Sequence, residues 1–212
     1  MNTKNNLKIW LLPLIPFCLF LLAAVCVCSF QKITDFDIYI IKLLQKTFSF
    51  ISYNFSINIS AFFKLYSSVV LFIVTFFLVY KKDFGLNIIY AITIFSSKNF
   101  YDIFKNIVQR QRPPLELLHY HQLDDFSFPS GHSYNIMILF GVLIYIIFKY
   151  SKNNIIKYSS AAICTIMIML VGLSRLLLGV HYPTDVIAGF LLGLTTVFTI
   201  CIIDKQISSD KN

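Results

Sequence analysis

Residues 172–185 read G-L-S-R-L-L-L-G-V-H-Y-P-T-D and carry a serine, an arginine, a histidine and an aspartate between two apolar segments. Polar groups in such a position are costly unless they serve a site. Pro183 is typical of the first turn of a helix, which predicts that His181 lies in the preceding loop and Asp185 in that first turn. Asp185 is then the candidate acceptor for the Nδ1–H of His181. Arg175 keeps its charge and suits phosphate oxygens, so we expect it to bind an anion.

The composition around this segment is that of an integral membrane protein. Of the 212 residues, 57% are hydrophobic and 13% are charged, and the mean hydropathy is +0.72. Hydropathy predicts six spans of about the length that a bilayer requires. They lie at residues 9–30, 62–80, 86–105, 133–149, 156–175 and 184–203. We therefore expect an all-α fold, a six-transmembrane-helix bundle that forms one membrane-embedded domain over residues 1–212.

The segment at residues 31–61 is too polar to cross a membrane. Its apolar residues recur at helical spacing and its polar residues form the opposite face, as in a helix that lies in the membrane interface. The apolar set is Ile38, Ile41, Leu44 and Phe48, and the polar set is Lys42, Gln45, Lys46 and Ser49. The sequence thus predicts an interfacial helical segment between the first two spans.

The lysines between the spans predict the orientation of the chain. With the N-terminus in the cytoplasm, most of the loop and terminal lysines fall on the cytoplasmic side. These are Lys4, Lys8, Lys81, Lys82, Lys149, Lys152, Lys157, Lys205 and Lys211. Residues 106–132 and 176–183 then lie together on the outer, periplasmic side, as does the interfacial segment. This topology accounts for the net charge of +8 better than nucleic-acid binding does, so no nucleic-acid partner is expected.

The third predicted span ends in the basic sequence K-N-I-V-Q-R-Q-R-P at residues 105–113. Snorkelling of basic side chains to the interface is one interpretation, but positive charge is unusual on the outer side and indicates an anion site. Lys105 and Arg112 would share one face of a helix that Pro113 ends. Arg110 is a possible headgroup contact.

Lys98 and Asp102 are expected to pair, which would neutralise the lysine within the membrane. Support of Lys105 by Asp102 is the alternative.

The fourth span follows the sequence P-S-G-H at residues 129–132. An ordinary turn with a helix start is one interpretation. In the functional interpretation, Gly131 lets the backbone approach a ligand, and the N–H groups of the helix N-terminus bind an anion. Ser130 would add a hydroxyl donor, and His132 would lie beside the same anion as a proton donor.

These three motifs, in this order, closely resemble the signature of the type 2 phosphatidic acid phosphatase superfamily of membrane lipid phosphatases. That superfamily shares its site with the vanadium-dependent haloperoxidases. The motifs are K-x6-R-P at 105–113, P-S-G-H at 129–132 and S-R-x5-H-x3-D at 174–185.

The resemblance implies a role for each signature residue. His181 would be the nucleophile that forms a phosphohistidine, Asp185 would orient it, and His132 would protonate the leaving oxygen. The phosphoryl oxygens would be held by Lys105, Arg112, Ser130, Gly131 and Arg175. Because cations can stabilise the phosphoryl transition state as Mg²⁺ does elsewhere, neither a metal nor a cofactor is implied.

A second cluster has metal-ligating residue types but no spacing that defines a metal site. It consists of His119, His121, Asp124 and Asp125. We expect a solvated loop that forms the rim of the pocket.

The function implied by the resemblance is metal-independent hydrolysis of a lipid phosphate or diphosphate at the periplasmic face of a bacterial inner membrane. Candidate substrates are undecaprenyl diphosphate, phosphatidylglycerol phosphate, phosphatidic acid and lipid A phosphates. The alternatives are a vanadium haloperoxidase, a lipid phosphotransferase, and a membrane protein that binds anionic lipid without turnover. No oligomeric state is predicted.

Overall fold

Local capping signals fix the starts of the two helices that carry the P-S-G-H motif and Asp185. Ser130 is the N-cap of the helix that starts at Gly131, and its Oγ accepts a hydrogen bond from the Ser133 N–H at 3.4 Å. Pro183 is the first residue of the last helix, where its missing N–H costs no hydrogen bond. His181 therefore lies in the loop before that helix, as predicted.

The computed structural model describes residues 9–49, 53–119 and 124–209, and this part of the chain contains helices and no β-strand. The helices are α1 Leu11–Ser29, α2 Gln31–Thr47, α3 Tyr53–Tyr80, α4 Phe84–Val108, α5 Gly131–Tyr150, α6 Asn154–Leu177 and α7 Pro183–Ser209. A short 3₁₀ helix at Leu115–Leu117 follows α4. The predicted all-α fold is confirmed.

Four of the described helices are long and apolar enough to cross a membrane, namely α1, α5, α6 and α7. Helix α3 contributes a shorter apolar stretch at Ser67–Tyr80. Many large apolar side chains remain exposed, including Ile15, Phe72 and Phe95. Such a surface is costly in water and suited to lipid.

Helix α2 is shorter and more closely packed than the predicted interfacial segment at 31–61. It ends at Thr47, and residues 53–61 belong to α3 instead. Ile41 is fully buried in a small cluster with Leu117 and Tyr182. Gln45, expected on a polar face, donates to the carbonyl oxygen of Leu117 at 2.9 Å. Helix α2 therefore packs against the loops that carry the motifs.

The predicted continuous helix from Lys105 to Arg112 is wrong. Helix α4 ends at Val108, because Gln109 adopts a left-handed conformation with φ of 50° and its N–H caps the Lys105 carbonyl at 2.9 Å. The following segment bonds elsewhere: the Arg110 carbonyl accepts the N–H of Ser127 at 2.8 Å. Prolines 113 and 114 also supply no N–H with which to continue a helix.

Small residues bring α7 close to α5. A Cβ on Gly189 would lie 2.6 Å from the carbonyl oxygen of Ser130, and one on Gly193 would lie 2.7 Å from Met137 Cβ. This spacing of small residues, four apart, allows helix backbones to pack closely in a membrane protein. It also allows a hydrogen bond from the Ser130 N–H to the Asp185 carbonyl at 3.0 Å, which joins two of the motifs.

Gly179 makes the turn between α6 and α7. Its φ is +67°, and a Cβ there would lie 1.9 Å from the carbonyl oxygen of Leu117. The turn takes the chain from Arg175 at the end of α6 to His181, two residues before α7 begins.

Candidate active site

The geometry of His181 fixes its tautomer. The side chain is 3% exposed, and Nδ1 lies 2.9 Å from the carbonyl oxygen of Ser127. A carbonyl oxygen can only accept, so Nδ1 carries the proton and Nε2 carries the free lone pair. Burial lowers the pKa of His181 to about 4, which keeps the imidazole neutral near pH 7. A neutral imidazole with a free Nε2 is the form that can attack phosphorus.

Asp185 is fully buried beside His181, but its hydrogen bonds differ from the expected ones. Its Oδ2 lies 3.6 Å from Nδ1 of His181, which is ion-pair distance and too long for a good hydrogen bond. The carboxylate instead accepts the Tyr182 N–H at 2.9 Å and Nη1 of Arg110 at 2.7 Å. The bond that orients His181 therefore comes from Ser127, while the charge of Asp185 can stabilise an imidazolium.

The two cations of the first motif meet at Asp125. Lys105 pairs with Oδ2 of this carboxylate, and Nη2 of Arg112 lies 2.5 Å from Oδ1. Arg112 also donates to the carbonyl oxygens of Asp125 at 2.9 Å and Val180 at 2.6 Å. Although burial opposes ionisation, hydrogen bonds from Lys105 and Arg112 lower the pKa of Asp125 to about 2. One carboxylate thus pairs with both cations of the first motif, two of the three that are expected to bind phosphate.

This finding refines the prediction for the loop before P-S-G-H. Asp125 is a direct partner of the basic cluster, in addition to being half exposed at the rim. His121 lies outside the described residues. Within the described ranges, no group of three or more His, Cys, Asp or Glu side chains could hold a metal ion.

Polar groups of the second and third motifs also lie near His181 and the two cations of the first motif. The Oγ of Ser130 accepts from the N–H and from the hydroxyl of Ser133, which leaves its own hydrogen to donate. Arg175 is buried and lies beside Ser174, with Nε 3.3 Å from Oγ. His132 lies near four basic side chains of the first and third motifs. These are Arg175, His181, Arg112 and Lys105.

Sequence reasoning missed the role of Arg110. Its side chain is 7% exposed and pairs with Asp37 and Asp185, each at 2.7 Å, so the prediction of a headgroup contact is wrong. One signal could have indicated the pairing: Asp37 lies four residues before Ile41, on the apolar face of α2. A carboxylate on an apolar face needs a cation. The predicted pair of Lys98 and Asp102 is confirmed at 2.5 Å.

Comparison with known proteins agrees with the motifs and the fold. A family model described as the PAP2 superfamily matches residues 84–207, which include all three motifs and the helices that carry them. The chain belongs to the PAP2 superfamily. The resemblance identified in the sequence is thereby confirmed.

Two curated relatives and one solved structure extend this assignment. The chain is 38% identical over 109 residues to phosphatidylglycerophosphatase B of Bacillus subtilis (strain 168), a match that covers 50% of this chain and 51% of that protein. It is 38% identical over 82 residues to bacitracin transport permease protein BcrC of Bacillus licheniformis, covering 39% of this chain and 35% of that one. The matches thus span about half or less of these relatives.

The solved structure is a crystal structure of a transmembrane PAP2 type phosphatidylglycerolphosphate phosphatase from Bacillus subtilis. It aligns with a TM-score of 0.77 and 26% identity, covering 92% of this chain and 97% of that chain. Together with the apolar helices, this similarity establishes a PAP2 membrane protein and extends the likeness beyond the motifs to the helical bundle.

A cavity of about 310 Å³ begins at His132 in this PAP2 chain. Gly131, Tyr101 and Asn135 line it near the histidine, and the remainder is lined by three serines, Ser67, Ser68 and Ser97, and by apolar side chains of α3 to α6. Its apolar members include Leu71, Ile94, Ile136, Leu139 and Val171. The cavity therefore joins the polar site to an apolar space between helices, where an acyl or prenyl chain could lie.

Proposed function

We propose that this PAP2 protein hydrolyses a phosphate ester or anhydride of a membrane lipid. The observation that carries the proposal is the neutral, buried His181 near the cations of the first and third motifs, next to a cavity between the helices that is partly lined by apolar side chains. A phosphoryl group needs a nucleophile and positive charge, and a lipid needs an apolar space.

The reaction proceeds in two steps. Nε2 of His181 attacks phosphorus and forms an N–P bond, while the bond from phosphorus to the lipid oxygen breaks. That oxygen takes a proton from His132, which is protonated while the anionic phosphoryl group is bound beside it. Water then attacks the phosphohistidine, His132 takes its proton, and phosphate leaves. Asp185 and the Ser127 carbonyl stabilise the positive imidazole ring while it carries the phosphoryl group.

The phosphoryl oxygens are held by the other signature groups. We assign this role to Lys105, Arg112 and Arg175, to the hydroxyl of Ser130 and to the backbone N–H of Gly131. Charge on the equatorial oxygens of the transition state is thereby met by positioned donors and cations. The N-terminus of α5 adds its partial positive charge.

Phosphatidylglycerol phosphate is the substrate that the comparisons favour, since two of the similar proteins bear that activity in their names. Purified protein in detergent should release phosphate from it faster than from undecaprenyl diphosphate, phosphatidic acid or lipid A phosphates. Preference for another lipid would contradict the assignment of the substrate but not the assignment of the reaction. No phosphate release from any of these lipids would contradict hydrolysis.

Two alternatives predict different products from the same panel. A vanadium haloperoxidase would brominate an organic acceptor once vanadate and peroxide are added. A lipid phosphotransferase would deliver the labelled phosphate to a second lipid, and free phosphate would not accumulate. The partly apolar cavity beside His132 and the similarity to a transmembrane phosphatase support hydrolysis of a lipid.

We also propose that residues 1–212 form a single domain with six spans, in which α3 and α4 cross the bilayer beside the four more apolar helices. Both termini would be cytoplasmic, and α2 and the site would face the periplasm of a bacterial inner membrane. A reporter fused after Lys205 should behave as cytoplasmic and one inserted after Leu118 as external. A cytoplasmic signal from Leu118 would overturn this topology.

Activity should survive EDTA and should be inhibited by vanadate. Lys105, Arg112 and Arg175 supply the positive charge that Mg²⁺ provides in other phosphoryl-transfer enzymes, and vanadate adopts the trigonal geometry of the transition state. Phosphate release is measured with and without chelator. Loss of activity in EDTA that Mg²⁺ restores would contradict the mechanism and would favour a metal site in the loop of Asp124 and Asp125.

Asp125→Asn should tighten binding of phosphate to the site. The carboxylate pairs with Lys105 and Arg112 and competes with any incoming anion, so its neutralisation should lower the inhibition constant of inorganic phosphate about two- to tenfold. Asp124→Asn makes the same change in net charge one residue away and is the matched control. Weaker phosphate inhibition in Asp125→Asn would mean that the carboxylate holds the cations ready for substrate.

A further inference from the structure

Arg110 connects the interfacial helix α2 to the residues beside the nucleophile. From this geometry we infer that Arg110, held by Asp37, is a positioning residue for Asp185 and, through Asp185, for His181. The inference rests on the proposed function, because it assigns Arg110 a part in the reaction at His181. It also means that α2, through Asp37, helps to position the active-site residues, which a helix that only lies in the interface would not do.

The guanidinium of Arg110 bridges two buried carboxylates. Nη2 donates to Oδ2 of Asp37 and Nη1 donates to Oδ1 of Asp185, each at 2.7 Å. Nη1 also donates to Oγ1 of Thr184 at 2.7 Å, and Nη2 to Oγ1 of Thr34 at 3.3 Å. Both terminal nitrogens thus donate to protein oxygens, which is why Arg110 is a structural partner of Asp185 and not a headgroup ligand.

Asp37 binds Arg110 and also holds the start of α7. Its Oδ1 accepts the backbone N–H of Thr184 at 3.2 Å, and its Oδ2 accepts the hydroxyl of Thr184 at 2.5 Å. The first N–H groups of a helix have no partner within the helix, and a carboxylate there also interacts favourably with the helix dipole. Asp37 therefore caps α7 from another helix and holds the turn that contains Asp185.

The position of Asp185 affects His181 in two ways. Its Oδ2 accepts a hydrogen bond from the backbone N–H of Tyr182, the residue after the histidine, at 2.9 Å. The same oxygen lies 3.6 Å from Nδ1 of His181. The Tyr182 ring lies against the guanidinium, 3.9 Å from its central carbon. Arg110 thus contacts both the carboxylate and the aromatic ring next to the nucleophile. A shift of Arg110 would move the charge that stabilises the phosphorylated imidazole.

A lysine cannot replace this arginine. The planar guanidinium donates to both carboxylates at once, whereas an ammonium group is a point charge at the end of a flexible chain. With the bridge lost, two buried carboxylates would face each other without a shared cation, which is strongly unfavourable. Burial already raises the pKa of Asp37, although hydrogen bonds from Thr184 and Arg110 oppose that shift.

The test compares Arg110→Lys and Asp37→Asn with Arg112→Lys, a variant of a proposed phosphate ligand. Phosphate release is measured with phosphatidylglycerol phosphate. The first two variants should lower kcat about 10- to 100-fold with KM unchanged, as loss of an indirect positioning contact does. Arg112→Lys should raise KM. A rise in KM for Arg110→Lys would overturn the inference.

A double-mutant cycle separates positioning from a general structural effect. In an Asp185→Asn background, adding Arg110→Lys should lower kcat by less than about a further twofold, because the effect of Arg110 passes through Asp185. The full additional loss would contradict the inference. Lys98→Gln, which breaks an exposed pair on α4, is the control and should leave kcat unchanged.

A spectroscopic readout distinguishes failure of this inference from failure of the proposed function. In protein with ¹⁵N-labelled histidine, Arg110→Lys and Asp37→Asn should shift the ring signals of His181, while Lys98→Gln should not. If the wild-type protein releases no phosphate, the proposed function fails and these spectra still decide the positioning role. Unchanged His181 signals in both variants would overturn it.

Discussion

His181→Ala should abolish phosphate release and leave no phosphoenzyme. The proposed reaction passes through an N–P bond at Nε2 of this residue, which is buried and holds its proton on Nδ1. Loss of a covalent nucleophile costs more than about 10⁴-fold in kcat. The measurement is a rapid-quench experiment with ³²P-labelled lipid, which traps acid-labile phosphate on the wild-type protein. His119→Ala removes an exposed histidine and should retain both activity and phosphoenzyme.

The same experiment tests the assignment of the two histidines. Phosphate recovered on a peptide that contains His132 would mean that their roles are reversed. Retention of a phosphoenzyme in His181→Ala would contradict attack by this residue. The bond from Nδ1 of His181 to the Ser127 carbonyl supports the present assignment, because it leaves Nε2 unprotonated.

Local sequence signals predicted most of the helix positions. Ser130 and Pro183 are strong start signals because each satisfies or removes a backbone N–H within its own first turn. The end of α4 could not be found in this way. Pro113 suggested a later end, whereas hydrogen bonding between Arg110 and Ser127 and the left-handed Gln109 end the helix earlier. That bond joins residues far apart in sequence.

In the active site, too, the sequence predicted the motif residues but not their partners from distant parts of the chain. The three motifs come together at one end of the bundle, and the family resemblance predicts a role for each of their residues. It could not give the partner of each charge. Asp37 lies 73 residues before Arg110, and Asp125 lies 20 residues after Lys105. Neither spacing follows a helical period, so both pairs emerge only when the helices are packed together.

His132→Ala should slow phosphate release from phosphatidylglycerol phosphate by about 10²–10⁴-fold, the usual contribution of a positioned acid. The leaving oxygen of this lipid is a poor leaving group and needs the proton that His132 supplies. The variant should retain the fold, since His132 faces the cavity and is not part of the buried core. Its melting temperature in detergent serves as the control.

The choice of substrate then distinguishes proton transfer from phosphate binding at His132. With p-nitrophenyl phosphate the leaving group needs little help, so formation of the phosphohistidine should recover most of the lost rate in His132→Ala. Release of phosphate from the phosphohistidine should stay slow, because the attacking water still lacks its base. The variant should therefore give a burst of p-nitrophenol and accumulate phosphoenzyme on His181. An equal loss with both substrates and no burst would instead indicate that His132 holds the phosphoryl group.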